Sequence, residues 1–470
     1  MGAATVAGNS GHAAPRRPHI ILIMTDDQGY GDLSSHGNLI LRTPHLDRLR
    51  QESVRFTDFQ VSATCAPTRA ALLTGCHEFR YGVTHTILER ERLSLRATTL
   101  AQVLQSAGYA TGIFGKWHLG DAPPYQPDRR GFHEVFIHGC GGIGQKYSGS
   151  CADAPGNSYF NPTILHNGRF ERTTGYCTDV FFGQSLRWMD QIRKTTQPFF
   201  VYLTPNAPHA PLECPEEYIA PYRGRVADEN VARFFGMIAN IDDNVGRLLD
   251  QLRSWRLERD TLVIFLTDNG GTTGVKVFND GMRGAKNSPF RGGVRVPSFW
   301  RWPGVLSPGD RAQLAAHLDI APTLAELAGR RMTQPGRTID GRSLWPLLRN
   351  PQAAWPDRIL FSHLGRWPTG QATNSKYAGC RVRNQRFSMV NENRGPRGWE
   401  LFDLAADPGE QTNVAAAHPD VVEQLAAAYD AWWEEVLPHL ENENATPPAE
   451  APYWTLYRQQ FGRLPEGAQP

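Results

Sequence analysis

Residues 65–69, Cys-Ala-Pro-Thr-Arg, combine a thiol with the features of an anion-binding helix end. Pro67 favours the first turn of a helix, and the Ala-Ala-Leu-Leu run that follows contains good helix formers. Cys65 is therefore predicted at a helix N-terminus, where free N–H groups and the helix dipole stabilise negative charge. Arg69 adds a guanidinium with bidentate geometry one turn later. The segment could join a nucleophile to an oxyanion site, although a lone motif of this kind is more often a buried thiol capping a core helix.

Two polar pairs follow apolar segments that are typical of strands buried on both faces. Asp26 and Asp27 follow the run at 19–24, and Asp268 and Asn269 follow the run at 261–266. One such pair would usually form a turn or a helix cap. Two strand ends together supply an all-oxygen donor set, which Ca²⁺ and Mg²⁺ prefer. Zinc is disfavoured because no His or Cys cluster with tetrahedral-ligand spacing shares this edge.

These segments resemble the signatures of type I sulfatases, which belong to the alkaline phosphatase superfamily. The matching motifs are C-x-P-x-R with A-x-L-L-T-G at 65–75, T-D-D-x-G-x-G-D at 25–32, T-D-N-G at 267–270 and G-K-W-H-L-G at 115–120. In that family the cysteine is oxidised to formylglycine, whose hydrate attacks sulfur. The second hydroxyl of the hydrate then allows sulfate to leave, a route that a sulfated cysteine would lack. The resemblance covers about residues 18–437.

The resemblance implies a role for each matching residue. One Ca²⁺, with Mg²⁺ as the alternative, would be held by Asp26, Asp27, Asp268 and Asn269. The implied catalytic residues are Cys65, Arg69, Lys116, His118, His209 and Lys286. Lys116 and Lys286 would bind sulfate oxygens, and His118 would take the proton of the second hydroxyl. His209 would lie beside the leaving-group oxygen. Many relatives carry Glu where this chain has Arg291, which puts the local ion pairing there in question.

The motifs require elements that bring them to one place. Strand patterns at 111–115 and 198–203 lead to Lys116 and His209, and helical patterns lie between the strands at 99–107, 178–192 and 230–252. This alternation predicts an α/β fold with a parallel sheet between helices, in which ligands bind beyond the carboxyl ends of the strands. The resemblance implies the alkaline-phosphatase-like sulfatase fold, with a large mostly parallel sheet and a smaller C-terminal α+β domain containing an antiparallel sheet.

The domain organisation follows from a change of composition around residues 350–356. Short strand patterns lie beyond it at 358–363, 376–383 and 386–391, and an amphipathic helix is predicted at 421–437. The segment at 400–413 resembles a stretch near the end of many sulfatases, where a small antiparallel sheet packs on the main domain. The predicted units are a flexible leader at 1–17, a sulfatase catalytic domain at 18–355, a C-terminal sheet-and-helix subdomain at 356–440 and an extended tail at 441–470.

Composition limits the classes of function and location. The 470 residues are 40% hydrophobic and 20% charged, with a net charge of +2, which gives no electrostatic footprint for nucleic acid. Seven cysteines are too few for a disulfide scaffold, although single disulfides are allowed. No apolar run is long enough to span a membrane, and the leader lacks a secretory apolar stretch. These features predict a cytoplasmic protein, or a periplasmic or secreted one if a signal has been removed.

The main hypothesis is a sulfatase that converts a sulfated carbohydrate or an aryl sulfate to an alcohol and inorganic sulfate, after activation by a formylglycine-generating enzyme. The nearest alternative is a phosphonate monoester or phosphodiester hydrolase with the same nucleophile. A non-catalytic binder of sulfated glycans would fit only if Cys65 stayed a thiol. A phosphatase with a Ser or Thr nucleophile fits less well, because its two zinc ions need further His and Asp ligands. The candidate substrate contacts are His85, Arg90, Arg92, His363, Arg366 and Trp367.

Overall fold

The computed structural model describes residues 17–139, 141–147, 149 and 151–465. The predicted leader therefore lies outside the described residues, apart from residue 17. The strands are β1 His19–Thr25, β2 Val54–Phe56, β3 Phe59–Gln60, β4 Ala110–Lys116, β5 Glu134–His138, β6 Thr163–His166, β7 Arg169–Arg172, β8 Phe199–Thr204, β9 Thr261–Thr267, β10 Arg295–Val296, β11 Ser298–Arg301, β12 Gly309–Arg311, β13 Ala315–Ala316, β14 Leu360–His363, β15 Ala378–Arg383, β16 Phe387–Glu392 and β17 Glu400–Asp403.

The helices surround these strands. They are α1 Pro44–Gln51, α2 Cys65–Thr74, α3 Leu100–Ser106, α4 Cys177–Ile192, α5 Glu216–Ile219, α6 Glu229–Ser254, α7 Arg291–Val294, α8 Ile320–Leu327, α9 Trp345–Arg349, α10 Pro419–Val436 and α11 Pro452–Phe461. Throughout the part of the chain that the structure describes, no helix combines the length and apolarity needed to cross a membrane.

A ten-stranded sheet forms the centre of the molecule, in the order β12-β2-β11-β9-β1-β8-β4-β5-β6-β7. The five central strands, from β9 to β5, run parallel to one another, and antiparallel strands flank them on both sides. The sequence predicted four of these five central strands from continuous apolar runs. The observed β1, β4, β8 and β9 confirm the predicted α/β fold.

Both faces of the central sheet are covered by helices. In β1, Ile20 and Leu22 pack into one core with α2, α3, α8 and α9. Ile21 and Ile23 pack into the opposite core with α1, α4, α5 and α6. Successive side chains of a strand point to opposite faces, so a strand covered on both sides must be apolar throughout. This explains why the β1 sequence does not alternate between apolar and polar residues.

A separate antiparallel sheet with the order β14-β15-β16-β17 follows the central sheet in the chain. Helix α10 packs on one of its faces through an aromatic cluster that includes Tyr429, Trp432 and Trp433. The predicted C-terminal strands and helix are thus present. Phe79 from the segment after α2 enters the same cluster and stacks on Trp432, which ties this sheet to the main body.

The prediction of an extended tail from residue 441 is wrong for α11. This ten-residue helix packs Tyr453, Trp454 and Tyr457 into the core on one face of the central sheet. The three aromatic residues lie at helical spacing, so one face of the helix is apolar enough to bury. The Pro, Asn and Glu residues that suggest an extended chain lie mainly before the helix, at 441–450.

We expect Gly270→Ala to destabilise the protein strongly. Its Cβ would lie 1.9 Å from the carbonyl oxygen of Gly292 and 2.7 Å from the Cα of Gly293, both backbone atoms that cannot rotate away. Overpacking of this kind should lower the free energy of unfolding by about 3 kcal/mol. Gly183→Ala, in the middle of α4, is the control because its Cβ would meet only the flexible end of Arg187 at 3.5 Å.

Helix propensity predicts that the Gly183→Ala control is neutral or stabilised by up to ~1 kcal/mol. Urea denaturation followed by circular dichroism measures both variants. Equal stabilities would contradict the close contact between the segment after β9 and α7.

Candidate active site

Four predicted metal ligands meet where two neighbouring strands end. Strands β1 and β9 pair in parallel up to Thr25 and Thr267, so the next residues of each strand leave the sheet at the same level. The backbone N–H of Asp27 donates to Oδ1 of Asp268 at 3.2 Å, and Nδ2 of Asn269 donates to Oδ1 of Asp27 at 2.9 Å. All four side chains are buried. The predicted set, Asp26, Asp27, Asp268 and Asn269, is therefore one cluster in space.

Three cations lie against this cluster, each from a different element. Nη2 of Arg69, in α2, donates to Oδ2 of Asp268 at 2.7 Å, and its Nη1 donates to the carbonyl oxygen of Lys116 at 3.1 Å. Nζ of Lys116, the last residue of β4, lies 2.5 Å from Oδ2 of Asp26. Nζ of Lys286 lies 2.5 Å from Oδ1 of Asp27. Three carboxylates thus face three cations at one edge of the sheet.

The electrostatics of the cluster reflect its burial. Loss of hydration, reinforced by Asp268, raises the pKa of Asp26 although Lys116 and Arg69 oppose the rise. Burial also acts on Asp27, but Lys286 and His209 outweigh it and hold the pKa of Asp27 below its ordinary value. Burial also opposes the charge of Lys286, but Asp27 and the other anionic groups around it together outweigh burial and raise the pKa, so that this lysine stays charged. Burial therefore disfavours the charged form of Asp26, whereas Asp27 and Lys286 stabilise each other's charge.

The donor atoms of this cluster fit a metal ion. Oδ1 of Asp26 and Oδ1 of Asn269 are buried and make no hydrogen bond to any described residue. A buried polar oxygen without a partner is costly, and its presence indicates an additional ligand. Since the donors are carboxylate and amide oxygens, a hard divalent cation matches them best.

Cys65 lies beside the metal cluster as the first residue of α2, as the sequence predicted. Its Sγ and oxygens of Asp26 and Asp268 lie within 4.8 Å of one another. The thiol reaches a cavity of about 250 Å³. The described residues lining this cavity are Asp27, Cys65, Thr86, His118, Gly141, Tyr147, His209, Thr272, Lys286, Asn287 and Arg366.

Two histidines of the cavity wall have defined tautomers. Nε2 of His118 donates to the carbonyl oxygen of Thr86 at 2.8 Å, so its Nδ1 carries a free lone pair. Burial, reinforced by Lys116, holds the pKa of His118 well below its ordinary value. Nδ1 of His209 donates to the carbonyl oxygen of Ala210 at 2.7 Å, which leaves Nε2 3.8 Å from Oδ2 of Asp27. Burial lowers the pKa of His209 to about 4, although Asp27 opposes the change.

The backbone at the site is constrained as well. Asp27 and His118 have φ values of 70° and 58°, a region that residues other than glycine rarely adopt. Such conformations occur at functional sites where the surroundings impose them. Gly115, at φ 120°, lets β4 approach the carbonyl oxygen of Thr204 so closely that a Cβ would lie 2.0 Å from it.

Of the six candidate substrate contacts, only Arg366 is among the cavity-lining residues; its Nη2 also contacts Oγ1 of Thr86 at 3.3 Å. Arg90 is buried, donates to the carbonyl oxygens of Trp367 and Gly365, and lies over the Trp367 ring. His363 and Trp367 are buried in the aromatic cluster of the C-terminal sheet.

The remaining two candidates also bind to protein groups. Nδ1 of His85 accepts the backbone N–H groups of Thr86 and Ile87, and Arg92 pairs with Glu89. These placements do not support a substrate contact for any of the five. The prediction used only charge and aromaticity, and these do not show where a side chain points.

Sequence reasoning did not identify the other cavity residues Thr86, Gly141, Tyr147, Thr272 and Asn287. Thr272 and Asn287 lie next to recognised motifs, and that proximity was a usable signal. No sequence pattern marks Thr86 or Tyr147, because they enter the cavity from loops that only the folded chain brings together.

This sheet, with a charged cluster and a buried cysteine at its carboxyl edge, is the alkaline-phosphatase-like arrangement. Residues 18–330 match the family model described as Sulfatase, and residues 286–431 match the model described as N-sulphoglucosamine sulphohydrolase, C-terminal. Arylsulfatase A of Bos taurus is 32% identical over 467 residues, a match that covers 90% of this chain and 88% of that protein. The N-acetylgalactosamine-6-sulfatase of Canis lupus familiaris is 30% identical over 397 residues, covering 77% and 71%.

The solved structure of Ps i-CgsB in complex with k-i-k-neocarrahexaose superposes with a TM-score of 0.80 at 26% identity, covering 94% of this chain and 97% of that one. The chain therefore belongs to the sulfatase family. It is a type I sulfatase of the alkaline phosphatase superfamily and a sulfuric ester hydrolase, as the motifs predicted.

Proposed function

We propose that this sulfatase hydrolyses the sulfate ester of a saccharide, with formylglycine formed from Cys65 as nucleophile and Ca²⁺ as the bound metal. The observation that carries the proposal is the position of Cys65. It joins the wall of a cavity that also carries Lys286, His118 and His209, and it adjoins the cluster of metal-type oxygens.

Charge balance supports a metal held by Asp26, Asp27, Asp268 and Asn269. The three carboxylates of this set already pair with Arg69, Lys116 and Lys286, and the pKa of Asp26 is still raised by burial. A sulfate monoester brings a further negative charge into the buried site, so an additional cation is needed to compensate for it. When bound, Ca²⁺ would supply Lewis-acid polarisation of a sulfate oxygen.

The surroundings of residue 65 suit an anionic transition state. Formylglycine at this position would supply a hydrated aldehyde as the nucleophile. Residue 65 begins α2, and Lys286 lines the same cavity, so the first N–H groups of α2 and the ammonium of Lys286 would stabilise developing negative charge. Arg69 does not line the cavity; it holds Asp268 and the end of β4 in place.

The two histidines divide the proton transfers. His118 is neutral and fixed through Nε2, so the free lone pair of its Nδ1 can accept a proton. His209 presents Nε2 to the cavity, and a bound sulfate anion favours its protonated form. A protonated His209 would neutralise the departing oxygen of the alcohol.

The cavity walls support a saccharide more than an aryl sulfate. Apart from the catalytic groups, they are formed largely by polar side chains, those of Thr86, Tyr147, Thr272, Asn287 and Arg366. Hydroxyl, amide and guanidinium groups match the hydroxyls of a sugar ring. A volume of about 250 Å³ is below that of pockets for larger ligands, and fits the ester and the ring that carries it. The similarity to an N-acetylgalactosamine-6-sulfatase and to a structure with bound neocarrahexaose also supports this substrate class.

We expect Cys65 to be converted to formylglycine when a formylglycine-generating enzyme is present. Peptide mass spectrometry should show an aldehyde or its hydrate at position 65, and Cys65→Ala should abolish turnover without loss of fold. Cys214, a free buried cysteine outside the cavity, is the control: it should remain a thiol, and Cys214→Ala should keep its activity. Full activity with an unmodified Cys65 would overturn the proposed nucleophile.

The same preparation distinguishes the substrate classes. Values of kcat/KM are measured for a sulfated monosaccharide, an aryl sulfate and a phosphonate monoester of similar leaving group. The saccharide ester should give the highest value. Faster turnover of the phosphonate would favour the alternative hydrolase, and a Cys65 that stays a thiol, with no turnover of any of the three esters, would favour a sulfated-glycan binder.

Removal of the metal should abolish activity. Chelation should lower kcat and the melting temperature together, and added Ca²⁺ should restore both. Asp268→Ala should lose bound calcium in elemental analysis and lose turnover by at least about 100-fold, as for removal of one oxyanion-stabilising group. Asp243→Ala, in a half-exposed carboxylate outside the site, is the control and should keep both. Unchanged rates after complete chelation would contradict the metal assignment.

Replacement of His209 should affect substrates according to their leaving group. A sugar alkoxide needs a proton as the S–O bond breaks, whereas a nitrophenolate leaves nearly unaided. His209→Ala should therefore lower kcat/KM by 10²-fold or more for a sulfated sugar, within the usual range of general acid catalysis, and much less for an activated aryl sulfate. Lys286→Ala is the comparison, because it should reduce both rates alike. Equal losses of kcat/KM on the two substrates in His209→Ala would show that His209 positions the substrate and does not protonate the leaving group.

A further inference from the structure

A second buried charge cluster joins the main body to the C-terminal sheet, and its members are not among the described residues that line the active-site cavity. It contains Arg291 at the start of α7, Arg381 and Arg383 on β15, Asp58 before β3 and Glu410 after β17. Nη1 and Nη2 of Arg383 donate to the two oxygens of Asp58 at 3.0 and 2.7 Å. Nη2 of Arg381 donates to Oε1 of Glu410 at 2.9 Å.

Arg291 connects the two pairs. Its backbone N–H donates to Oε2 of Glu410 at 2.6 Å, and its Nη2 lies 3.8 Å from Oδ1 of Asp58. The latter distance is long for a hydrogen bond, and both carboxylates already have a closer arginine. The cluster therefore holds three guanidinium groups and two carboxylates, one positive charge in excess.

Several donors in this cluster lack partners. Nε and Nη1 of Arg381 and Nε of Arg291 are buried and make no hydrogen bond within the described chain. Oγ of Ser388, directly across from Arg383 in the β15–β16 register, also has none. The Arg381 side chain is 1% exposed and the Arg291 side chain 9%. Arg381 and Arg291 are brought together by Glu410, which contacts both, and Ser388 lies on the strand paired with that of Arg381. Buried hydroxyl and N–H groups without partners are the donor set of an anion site.

Arginine cannot relieve the excess charge by losing its proton, as a buried lysine could. The nearby Arg295 does not change the count, since it pairs with Asp280 at 2.8 Å. We propose that a small inorganic anion of the chloride class binds between Arg291, Arg381 and Ser388 and joins the C-terminal sheet to α7. A neutral water could accept these hydrogen bonds but would leave the charge uncompensated, and the experiment distinguishes the two.

Thermal unfolding of the full-length protein tests the charge argument. The melting temperature is measured in sodium chloride and in sodium gluconate at equal ionic strength with excess Ca²⁺. Chloride is used instead of sulfate because sulfate is the product of the reaction and would bind the active site. For the wild type, chloride should raise the melting temperature with a saturating concentration dependence, as for any ligand of the native state.

Two variants make the test specific. Arg291→Met leaves two balanced ion pairs, so its melting temperature should be the same in the two salts. Arg386→Met removes an exposed arginine from the turn between β15 and β16, paired with Asp403, and should keep the wild-type response. An equal chloride effect in Arg291→Met and the wild type, or no effect in the wild type, would overturn the proposal.

Crystals of the wild type in bromide give a second test that does not depend on the folding of a variant. An anomalous bromine peak within hydrogen-bond distance of Nε of Arg381 is the expected result. A water-like peak without anomalous signal at this position would show that the excess charge is tolerated without an anion.

Discussion

Three carboxylates and three cations are held together out of water at the carboxyl edge of the central sheet. Each ion pair is short, and the side chains of Asp26, Lys116, Arg69 and Asp268 are fully buried. Isolated charges at this depth would be unfavourable by several kcal/mol each, so the cluster is stable only when every member is in place. The neighbouring strand ends, the start of α2 and the loop of Lys286 must all be arranged around this balance.

The glycines of the motifs make that arrangement possible. The segments after β1 and β9 touch through their backbones: a Cβ at Gly29 would lie 2.8 Å from the Cα of Gly271. The carboxylates of these two segments can share one site only because no side chains separate the chains there. The glycines of these motifs are therefore as necessary to the site as the acidic residues, because they allow the close backbone contacts.

The sequence predicted most of the parallel strands at the centre of the sheet and much of the site. Continuous apolar runs predicted β1, β4, β8 and β9, and the polar residues that end them lie together because parallel strands end at one edge. The sequence did not show where individual side chains point, because tertiary contacts set their direction. Arg90 and Trp367 have the types of a saccharide contact but bind each other and the C-terminal segment.

The structure also contains features that the sequence did not predict, namely α11 and the cavity residues Thr86 and Tyr147. The Pro, Asn and Glu residues just before α11 suggest an extended chain. The helix is stable because its aromatic residues pack on the main core. Thr86 and Tyr147 belong to loops, and loop positions depend on the scaffold that carries them. Their part in the cavity is a property of the assembled fold.

Helix α7 shows how the C-terminal sheet takes part in the site. Lys286, which pairs with Asp27, is followed within a few residues by Arg291, which contacts Glu410 and lies near Asp58. The carbonyl oxygen of Gly293 accepts the N–H of Gly270 at 2.9 Å, directly after the metal-type ligands of β9. One short segment thus contacts both charge clusters. Since Arg366 reaches the cavity from the loop after β14, displacement of the C-terminal sheet would move a cavity wall and the support of Lys286 together.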